Sequence, residues 1–245
     1  MRKRLPIRAG ECRQPGCRLG TPALGAEPPF SEPLAAADPT RDRTDKHELI
    51  LDAAIRVFAE KGFHGARISD VADAAGVADG TIYLYFKNKD DLLLSIFEEK
   101  MVELTGGLRD ALAGGTTALE KIERFARYHF RMVQDHRAVA EVLQIELRLS
   151  NKFLKEYRPE KLWDYLGIFA ALVREGQDEG TIRKEIDPFM AMWAFFGAMD
   201  EMAMQWVLAK HRTFSLDAAA DTVVRIFIRG LAAQPPGGTT PREQA

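Results

Sequence analysis

Apolar residues recur at helical spacing in three short runs between residues 68 and 94. The first run forms one apolar stripe, made of Val71, Ala72, Ala75 and Val77. Gly76 interrupts this stripe, residues 81–86 form a second run too short to be a stable helix alone, and a third helix is predicted from Asp90. Two short helices joined by a glycine-containing turn are typical of a helix-turn-helix unit, whose second helix enters the major groove of DNA.

The second of these helices carries residues suited to the sugar-phosphate backbone of DNA. Gly80 allows the main chain to approach a phosphate, Thr81 can donate a hydrogen bond to it, and the free N–H groups of the first turn favour an anion. Tyr83 and Tyr85 bring further hydroxyl groups, and Lys89 opens the next helix with a positive charge. These residues predict a DNA-contacting face. The alternative is that both tyrosines are core aromatics of a small helical cluster.

Helical periodicity continues through the rest of the chain, and no segment alternates with a period of two. Helices are predicted over residues 47–61, 90–104, 118–135, 137–149, 151–179, 188–211 and 216–231. The second of these is expected to stop at Gly106 and Gly107, and the fifth to kink or break at Pro159. The predicted fold class is therefore all-α, with a three-helix head over residues 46–92 and a larger helical body over residues 93–233.

The two ends of the chain differ from this helical part. Residues 1–45 contain repeated prolines and no helical period, so they are predicted to be disordered, as is the tail over residues 234–245. The basic start of the chain is typical of an arm that touches DNA non-specifically, or else it is a dispensable leader. Cys12 and Cys17 fit no zinc-binding spacing, so no metal site is expected.

Composition limits the classes of function that remain. The chain is 46% hydrophobic and 29% charged, which is typical of globular proteins. Its formal net charge is −2, so any positive charge that serves DNA binding must be local. The longest apolar run, residues 189–199, is too short to span a bilayer, so no membrane partner is predicted.

The helix predicted from Pro188 is apolar over most of its circumference, which requires burial on all sides. The last helix shows the same feature, at Val223, Val224, Ile226, Phe227 and Ile228. One side of each helix can line the interior while the other needs a partner, so the two helices are predicted to form a homodimer through a four-helix bundle. The alternative is that the first of them lies at the centre of a monomeric bundle.

The sequence A-G-V-A-D-G-T-I-Y-L-Y-F-K-N-K-D-D-L-L over residues 75–93 closely resembles the signature of TetR-type bacterial transcriptional regulators. The similarity extends upstream over residues 50–63. It implies DNA contacts by Ser69, Gly80, Thr81, Tyr83, Leu84, Tyr85 and Lys89. The resemblance also implies a cytoplasmic homodimer that reads a palindromic operator on double-stranded DNA.

Two positions depart from the pattern of this family. Arg67 stands where a threonine often precedes the second helix, which weakens the helix cap but adds a cation suited to a phosphate. Ala78 stands where a serine usually caps the recognition helix. We therefore expect Asp79 to provide the cap, or instead to face a cytosine amino group.

The body contains many large aromatic and flexible side chains, which predict an apolar cavity between helices, and arginines at its mouth would suit a phosphorylated head group. The sequences E-V-L-Q-I-E-L-R-L-S-N-K from Glu141 and F-F-G-A-M-D-E-M-A-M-Q-W-V-L from Phe195 resemble the FadR-type subgroup. Members of that subgroup repress fatty-acid degradation genes and are released by long-chain acyl-CoA. This resemblance implies an effector site at Arg131, Arg148, Trp163, Tyr165, Leu166, Phe169, Trp193 and Phe196.

The leading hypothesis is therefore a repressor without cofactor or catalytic residues, released from DNA by long-chain acyl-CoA. A second hypothesis keeps the repressor but makes its effector an aromatic or cationic xenobiotic, with Glu146, Asp200 and Glu201 as partners of the cation and efflux genes as targets. An acyl-CoA hydrolase is the rival from another class. The scattered histidines, with no serine or cysteine beside them in a recognisable turn, argue against that enzyme.

Overall fold

The computed structural model describes residues 39–147 and 157–233. Their α-helices are α1 (Pro39–Lys61), α2 (Ile68–Ala75), α3 (Asp79–Tyr85), α4 (Lys89–Leu112), α5 (Ala118–Asp135), α6 (Arg137–Glu141), α7 (Glu160–Asp178), α8 (Pro188–Leu208) and α9 (Leu216–Leu231). A π-helical turn, Val142–Glu146, continues α6. No β-strand occurs within the described ranges, where Ile182 and Ala232 form an isolated bridge, so the all-α prediction is confirmed.

The first three helices share one apolar core with the start of α4. Ile50 and Phe58 of α1 are completely buried, as is Val71 of α2. Gly62 and Gly76 end α1 and α2 with positive φ angles of 72° and 68°, a conformation that glycine adopts without steric strain. These two turns fold α2 and α3 back onto α1, so the predicted helix-turn-helix arrangement is present.

Helix α4 runs without a break from the head into the body. It buries Leu92 in the core of the head and Leu108 next to α5. The prediction that this helix stops at Gly106 and Gly107 is wrong. Glycine costs roughly 1 kcal/mol in a helix interior, but a Cβ at Gly107 would overlap the hydroxyl of Tyr128 on α5. The glycine therefore permits close packing of α4 against α5, and this packing outweighs its low helix propensity.

The body is assembled around α5, which contacts α4, α6, α7, α8 and α9. Three buried rings, one from each of α5, α7 and α8, form its centre. Phe125 meets Phe169 and Phe195 edge to face, and the latter two rings stack with their centroids 4.1 Å apart. Such aromatic pairs add to the stabilisation from apolar burial, so these rings fix the relative positions of the three helices.

Several predicted helix bounds differ from the observed ones. Helix α1 begins at Pro39, so the prediction of disorder is wrong for residues 39–45. Proline suits a first helical turn, and neither proline nor glycine follows it before Gly62. Helix α7 starts directly after Pro159, as predicted, because proline lacks the N–H group that a helix interior requires. Helix α8 ends at Leu208, not at residue 211.

The remaining parts of the predicted disordered ends, residues 1–38 and 234–245, lie outside the residues that the structure describes. The predicted boundary between head and body, between residues 92 and 93, falls inside the continuous helix α4. Among the described helices, none combines the length and the apolar character that crossing a bilayer requires.

Helix α9 buries more of its apolar side chains within the subunit than its sequence suggests. Val223 and Val224 are buried within the subunit, where α9 lies against α5, so these two residues belong to the side of the helix that lines the interior. Phe227 is half-buried and meets Phe195 edge to face. Ile226, by contrast, is 63% exposed. Helical periodicity explains the difference, because Val223 and Phe227 are one turn apart on the side that faces the core.

Candidate DNA-contacting surface and effector cavity

Helix α3 has one buried and one exposed side. Ile82 is completely buried and Phe86, directly after the helix, is nearly so, and these two apolar anchors hold α3 on the head. On the opposite side Tyr83 is 57% and Leu84 73% exposed. These two side chains form the exposed tip of the second helix of the helix-turn-helix unit, which is the part that meets base edges and phosphates in such units.

The other predicted contact residues of α3 surround this tip. Asp79 and Gly80 are exposed in the first turn, and Thr81 is half-buried beside them. Tyr85 is also half-buried, with its ring 6.1 Å from that of His47. The tyrosines therefore divide between the two alternatives of the sequence analysis, since Tyr83 points outward and Tyr85 is partly packed on the head.

The cap of α3 differs from the prediction. Ala78 is the N-cap residue and supplies no side-chain hydrogen bond, while Asp79 is the first residue of the helix. The prediction that Asp79 caps α3 is therefore wrong. Its carboxylate lies in the first turn, where the helix dipole favours a negative charge. The main-chain N–H groups at this end of α3 therefore lack a side-chain acceptor at the N-cap.

The start of α2 presents the two other predicted contact residues, with Arg67 exposed and Ser69 half-buried. The main-chain N–H of Arg67 donates to the Asp70 carboxylate at 2.7 Å, which is the half of a capping box that does not depend on the N-cap side chain. Asp70 also accepts from the ammonium of Lys61 at 2.9 Å. This hydrogen bond holds the pKa of the Asp70 carboxyl below its usual value.

Lys89 is held inside the protein more firmly than a phosphate-contacting lysine needs to be. Its ammonium donates to the carbonyl oxygens of Phe63 at 2.6 Å and Ala66 at 2.9 Å, and lies 4.6 Å from the centre of the Phe63 ring. These bonds tie the first residue of α4 to the turn between α1 and α2. We therefore interpret Lys89 as a residue that positions the head, a role that its place in the sequence did not reveal.

The same turn is held from the body by Glu146, the last residue of the π-helical turn. Its carboxylate accepts a hydrogen bond from the main-chain N–H of Phe63 at 2.6 Å. A Cβ added at Gly62 would lie 3.7 Å from the same carboxylate. Phe63 thus bonds to α4 through its carbonyl and to the π-helical turn through its N–H. Both elements therefore contact the turn between α1 and α2 at this residue.

A cavity of about 200 Å³ lies in the body between α4, α5 and the segment from α6 into the π-helical turn. We call it the outer chamber, because charged and polar residues of its lining, Lys100, Glu103 and His136, lie near the surface. Apolar side chains form most of the remaining wall, among them Met132 and Val139. Its polar mouth and apolar wall suit an amphipathic molecule.

A second cavity of about 120 Å³, the inner chamber, lies on the other side of the π-helical turn. It is lined mainly by apolar side chains, namely Phe97, Met101, Leu104, Leu143, Leu147, Leu162 and Phe196, together with Tyr165 and Asp200. Four residues line both chambers, namely Leu104, His129, Leu143 and Gln144. The two chambers therefore meet at these residues. A π-helical turn at such a junction is typical of functional sites.

Two polar side chains lie at this junction. Nδ1 of His129 and the hydroxyl of Tyr165 are 3.0 Å apart. Nε2 of His129 and Oε1 of Gln144 are buried without a partner among the described residues. Burial lowers the pKa of His129 to about 4, so the ring is neutral at pH 7, and burial raises the pKa of Tyr165 well above its usual value.

The structure distributes the predicted effector residues over several places. Tyr165 and Phe196 line the inner chamber, as the prediction requires. Leu166 and Phe169 are buried in the core of the body and line neither chamber. Trp163 and Trp193 belong instead to an exposed aromatic cluster, with their ring centroids 5.4 Å apart.

Arg131, one of the two predicted arginines, lines neither chamber. Arg131 borders a groove on the outer side of α5, next to Arg124 and Arg127. Arg127 in this groove is already paired, at 2.8 Å with Glu123 and at 2.9 Å with Asp221. Arg148 lies outside the residues that the structure describes. The cationic side chain that does border the outer chamber is Lys100.

Gln144, His129 and Leu143 line both chambers but were not among the residues predicted from sequence. His129 falls on the apolar side of α5, where a single histidine is more often a core residue than part of a site. Gln144 is one polar residue in an apolar run, V-L-Q-I, and that interruption was the available signal. Leu143 and Gln144 both belong to the π-helical turn, which the sequence pattern did not predict.

Two parts of the chain match known families. Residues 50–96 match the bacterial regulatory proteins of the tetR family, and residues 97–230 match the C-terminal region of YsiA-like proteins. The chain therefore belongs to the TetR family of bacterial transcriptional regulators. The exposed tip of α3 lies within the part of the chain that matches the tetR-family model.

Within this family the chain is similar to the fatty acid metabolism regulator protein of Bacillus subtilis, with 37% identity over 78% of this chain and 98% of the relative. It is also similar to the structure of FadR, a fatty acid degradation regulator from Bacillus halodurans, with a TM-score of 0.71, 39% identity, and coverage of 76% of this chain and 95% of that one.

A second similar structure is that of FadR from Bacillus subtilis in complex with stearoyl-CoA. The TM-score is 0.70 and the identity 38%, with coverage of 75% of this chain and 98% of that one. The resemblance to the FadR-type subgroup is thus confirmed. The named function of these relatives is transcriptional regulation.

Proposed function

We propose that this TetR-family protein binds operator DNA as a homodimer, represses transcription, and is released by a long-chain acyl-CoA that occupies both chambers. The observation that carries the proposal is the π-helical turn. It lines both chambers with Leu143 and Gln144, and it contacts the head through Glu146. One short element therefore senses the effector and holds the DNA-contacting part.

The DNA-contacting surface in this proposal is the tip of α3 with the start of α2. Tyr83 and Leu84 meet the major groove, while Gly80 and the N-terminal N–H groups of α3 meet a phosphate. Arg67 adds the local positive charge that the nearly neutral chain requires. Ser69, Asp79, Thr81 and Tyr85 complete the surface.

Two heads have to be placed about 34 Å apart to read successive major grooves, and this requires a dimer. The exposed apolar residues of α8 and α9 support a shared face, because Met190 is 66%, Trp193 39% and Ile226 63% exposed. Ala194 and Gly197 are exposed on α8 between them and allow close approach of a second helix. These two helices would form the four-helix bundle.

A matched pair of substitutions tests this face. Ile226→Glu places a charge in the proposed interface, whereas Val102→Glu places the same charge on an exposed apolar position of α4. Sedimentation velocity is expected to show a dimer for the wild type and for Val102→Glu, and a monomer for Ile226→Glu. If the Ile226→Glu variant were still a dimer, α9 would not be part of the interface.

The size of the cavity suggests how release occurs. Each chamber is smaller than the roughly 300–1,000 Å³ of typical ligand pockets, at about 200 and 120 Å³. A long acyl chain therefore fits only if the junction at Leu143 and Gln144 widens. Widening displaces the π-helical turn and with it Glu146. The ligand then stabilises a conformation in which the heads no longer match the operator.

The proposal is tested with a fluorescent duplex carrying the palindrome that the protein selects from a random pool. Fluorescence anisotropy is expected to show release by stearoyl-CoA, but not by CoA or stearate at the same concentration. Unchanged anisotropy with stearoyl-CoA would disprove the effector. Failure to select any palindrome would disprove the operator.

The xenobiotic alternative finds less support in the structure. Of its three predicted cation partners, Asp200 lines the inner chamber, Glu201 is exposed, and Glu146 is bonded to the head. Release by a cationic dye in the same anisotropy assay, without release by stearoyl-CoA, would reverse this preference. We infer no enzymatic activity, and a lack of CoA release from stearoyl-CoA on incubation is the corresponding expectation.

A further inference from the structure

Two buried polar atoms at the junction of the two chambers have no hydrogen-bond partner among the described residues. His129 is 7% and Gln144 8% exposed, so both side chains are more than nine-tenths buried. Nε2 of the histidine and Oε1 of the glutamine nevertheless make no hydrogen bond there. Buried polar atoms in native proteins almost always have a partner. Two such atoms beside a cavity indicate a ligand that satisfies both.

The contact with Tyr165 determines whether Nε2 of His129 is a hydrogen-bond donor or an acceptor. If the Tyr165 hydroxyl donates to Nδ1 of His129, the ring proton is on Nε2 and the tyrosine proton is satisfied. The opposite arrangement would leave the hydroxyl proton unpaired as well. The low pKa of the ring excludes protonation of both nitrogens at pH 7. The junction therefore presents a donor, the Nε2–H of His129, and an acceptor, Oε1 of Gln144.

The two chambers on either side of His129 and Gln144 indicate how a ligand would be oriented. On one side lies the inner chamber, whose wall is mainly apolar. On the other side lies the outer chamber, which is bordered near the surface by Lys100 and His136. A ligand with an apolar tail in the inner chamber and an anionic head in the outer chamber would place the group that joins tail and head next to His129 and Gln144. That link has to contain one acceptor and one donor.

The geometry points to a thioester-recognition site in which His129 donates to the thioester carbonyl oxygen of an acyl-CoA and Gln144 accepts from the nearest amide N–H of the pantetheine arm. The inference rests on the proposed function, because it names the part of acyl-CoA that the junction binds. The acyl chain enters the inner chamber. The carbonyl and the amide are a few bonds apart, so one ligand satisfies both atoms.

A change in the ligand alone tests this inference on the unmodified protein. S-octadecyl-CoA replaces the thioester carbonyl by a methylene group and keeps the chain and the head. Since a buried donor loses its acceptor, the thioether is expected to bind about tenfold more weakly than stearoyl-CoA in a calorimetric titration. Equal affinities would overturn the inference, since they would show that water or nothing satisfies His129.

Three substitutions separate recognition from a structural role. In His129→Phe the preference for the thioester over the thioether is expected to disappear, whereas a structural role would weaken both ligands equally. In Gln144→Met the pantetheine amide loses its acceptor on the protein. Both ligands carry this amide, so both are expected to bind more weakly, and the preference for the thioester over the thioether is expected to remain. Tyr165→Phe frees Nδ1 to take the ring proton and is expected to reduce the preference with His129 intact. Met202→Leu, at a half-buried position that lines neither chamber, is the matched control.

A spectroscopic measurement completes the test. Stearoyl-CoA labelled with ¹³C at the thioester carbonyl is expected to show a lowered carbonyl stretching frequency when bound, because hydrogen bonding weakens the C=O bond. The shift is expected to be absent in His129→Phe. A bound carbonyl with the frequency of an apolar solvent would overturn the inference while leaving the proposed function in place. Failure of stearoyl-CoA to bind at all would overturn both.

Discussion

The head and the body of this protein use their helices in opposite ways. The head packs its apolar residues into a tight core and exposes the residues proposed to contact DNA, on the tip of α3. The body places the residues proposed to bind the effector inside, around two chambers, where His129 and Gln144 leave buried polar atoms unpaired. On this proposal, stability and function depend on different residues in the head, whereas in the body both depend on the same interior.

The sharpest test of this difference is to remove side chains from the two interiors. Phe58→Ala in the head is expected to lower the free energy of unfolding by about 3–5 kcal/mol, because it opens a cavity in a packed core. Leu143→Ala only widens an existing chamber and should cost clearly less. Urea denaturation measures both changes. Equal losses would show that the body is packed as tightly as the head.

The next largest effect comes from the pH dependence of the body. His129 has a pKa near 4 in the folded protein, against roughly 6.5 in an unfolded chain. Between these values the unfolded state binds more protons, so stability is present above pH 6.5 and is lost as the pH falls toward 4. The expected loss is about 2 kcal/mol between pH 7 and pH 5. In His129→Phe this part of the loss should vanish in urea titrations at the two pH values.

A smaller effect is expected where the two regions meet. Glu146→Ala removes the acceptor for the N–H of Phe63 and should lower the free energy of unfolding by about 1–2 kcal/mol. DNA affinity should persist while release by stearoyl-CoA becomes weaker, because the π-helical turn is no longer hydrogen-bonded to Phe63 of the head. Glu123→Ala, on the surface of α5, is the matched control. A normal response of Glu146→Ala to stearoyl-CoA would exclude this contact as the route.

The smallest effect on stability is expected at the tip of the head. Tyr83→Phe should change the free energy of unfolding by less than about 0.5 kcal/mol, yet lower operator affinity several-fold through loss of one hydroxyl contact. Lys89→Met should lower both quantities, because its ammonium holds the turn before α2. Anisotropy and thermal melting separate the two variants. Normal operator binding by Tyr83→Phe would remove that hydroxyl from the DNA interface.

The predictions from sequence succeeded where one element decides the outcome by itself. The bounds of α5 and α9, the break at Pro159 and the exposed side of α3 follow from local periodicity and from the lack of an N–H group in proline. They failed where a neighbouring element intervenes. Gly107 continues a helix because Tyr128 lies against it, and Lys89 turns inward because two carbonyl oxygens are within its reach.

The sequence by itself determined the all-α class, the helix-turn-helix unit and the family of this protein, because short-range patterns and a long motif carry that information. The tertiary structure decided which residues line the two chambers. Tyr165 and Phe196 reach the inner chamber, whereas Trp163 and Arg131 do not. A cavity wall is assembled from residues far apart in the chain. Its members are therefore selected by how the helices cross, and no local pattern records that geometry.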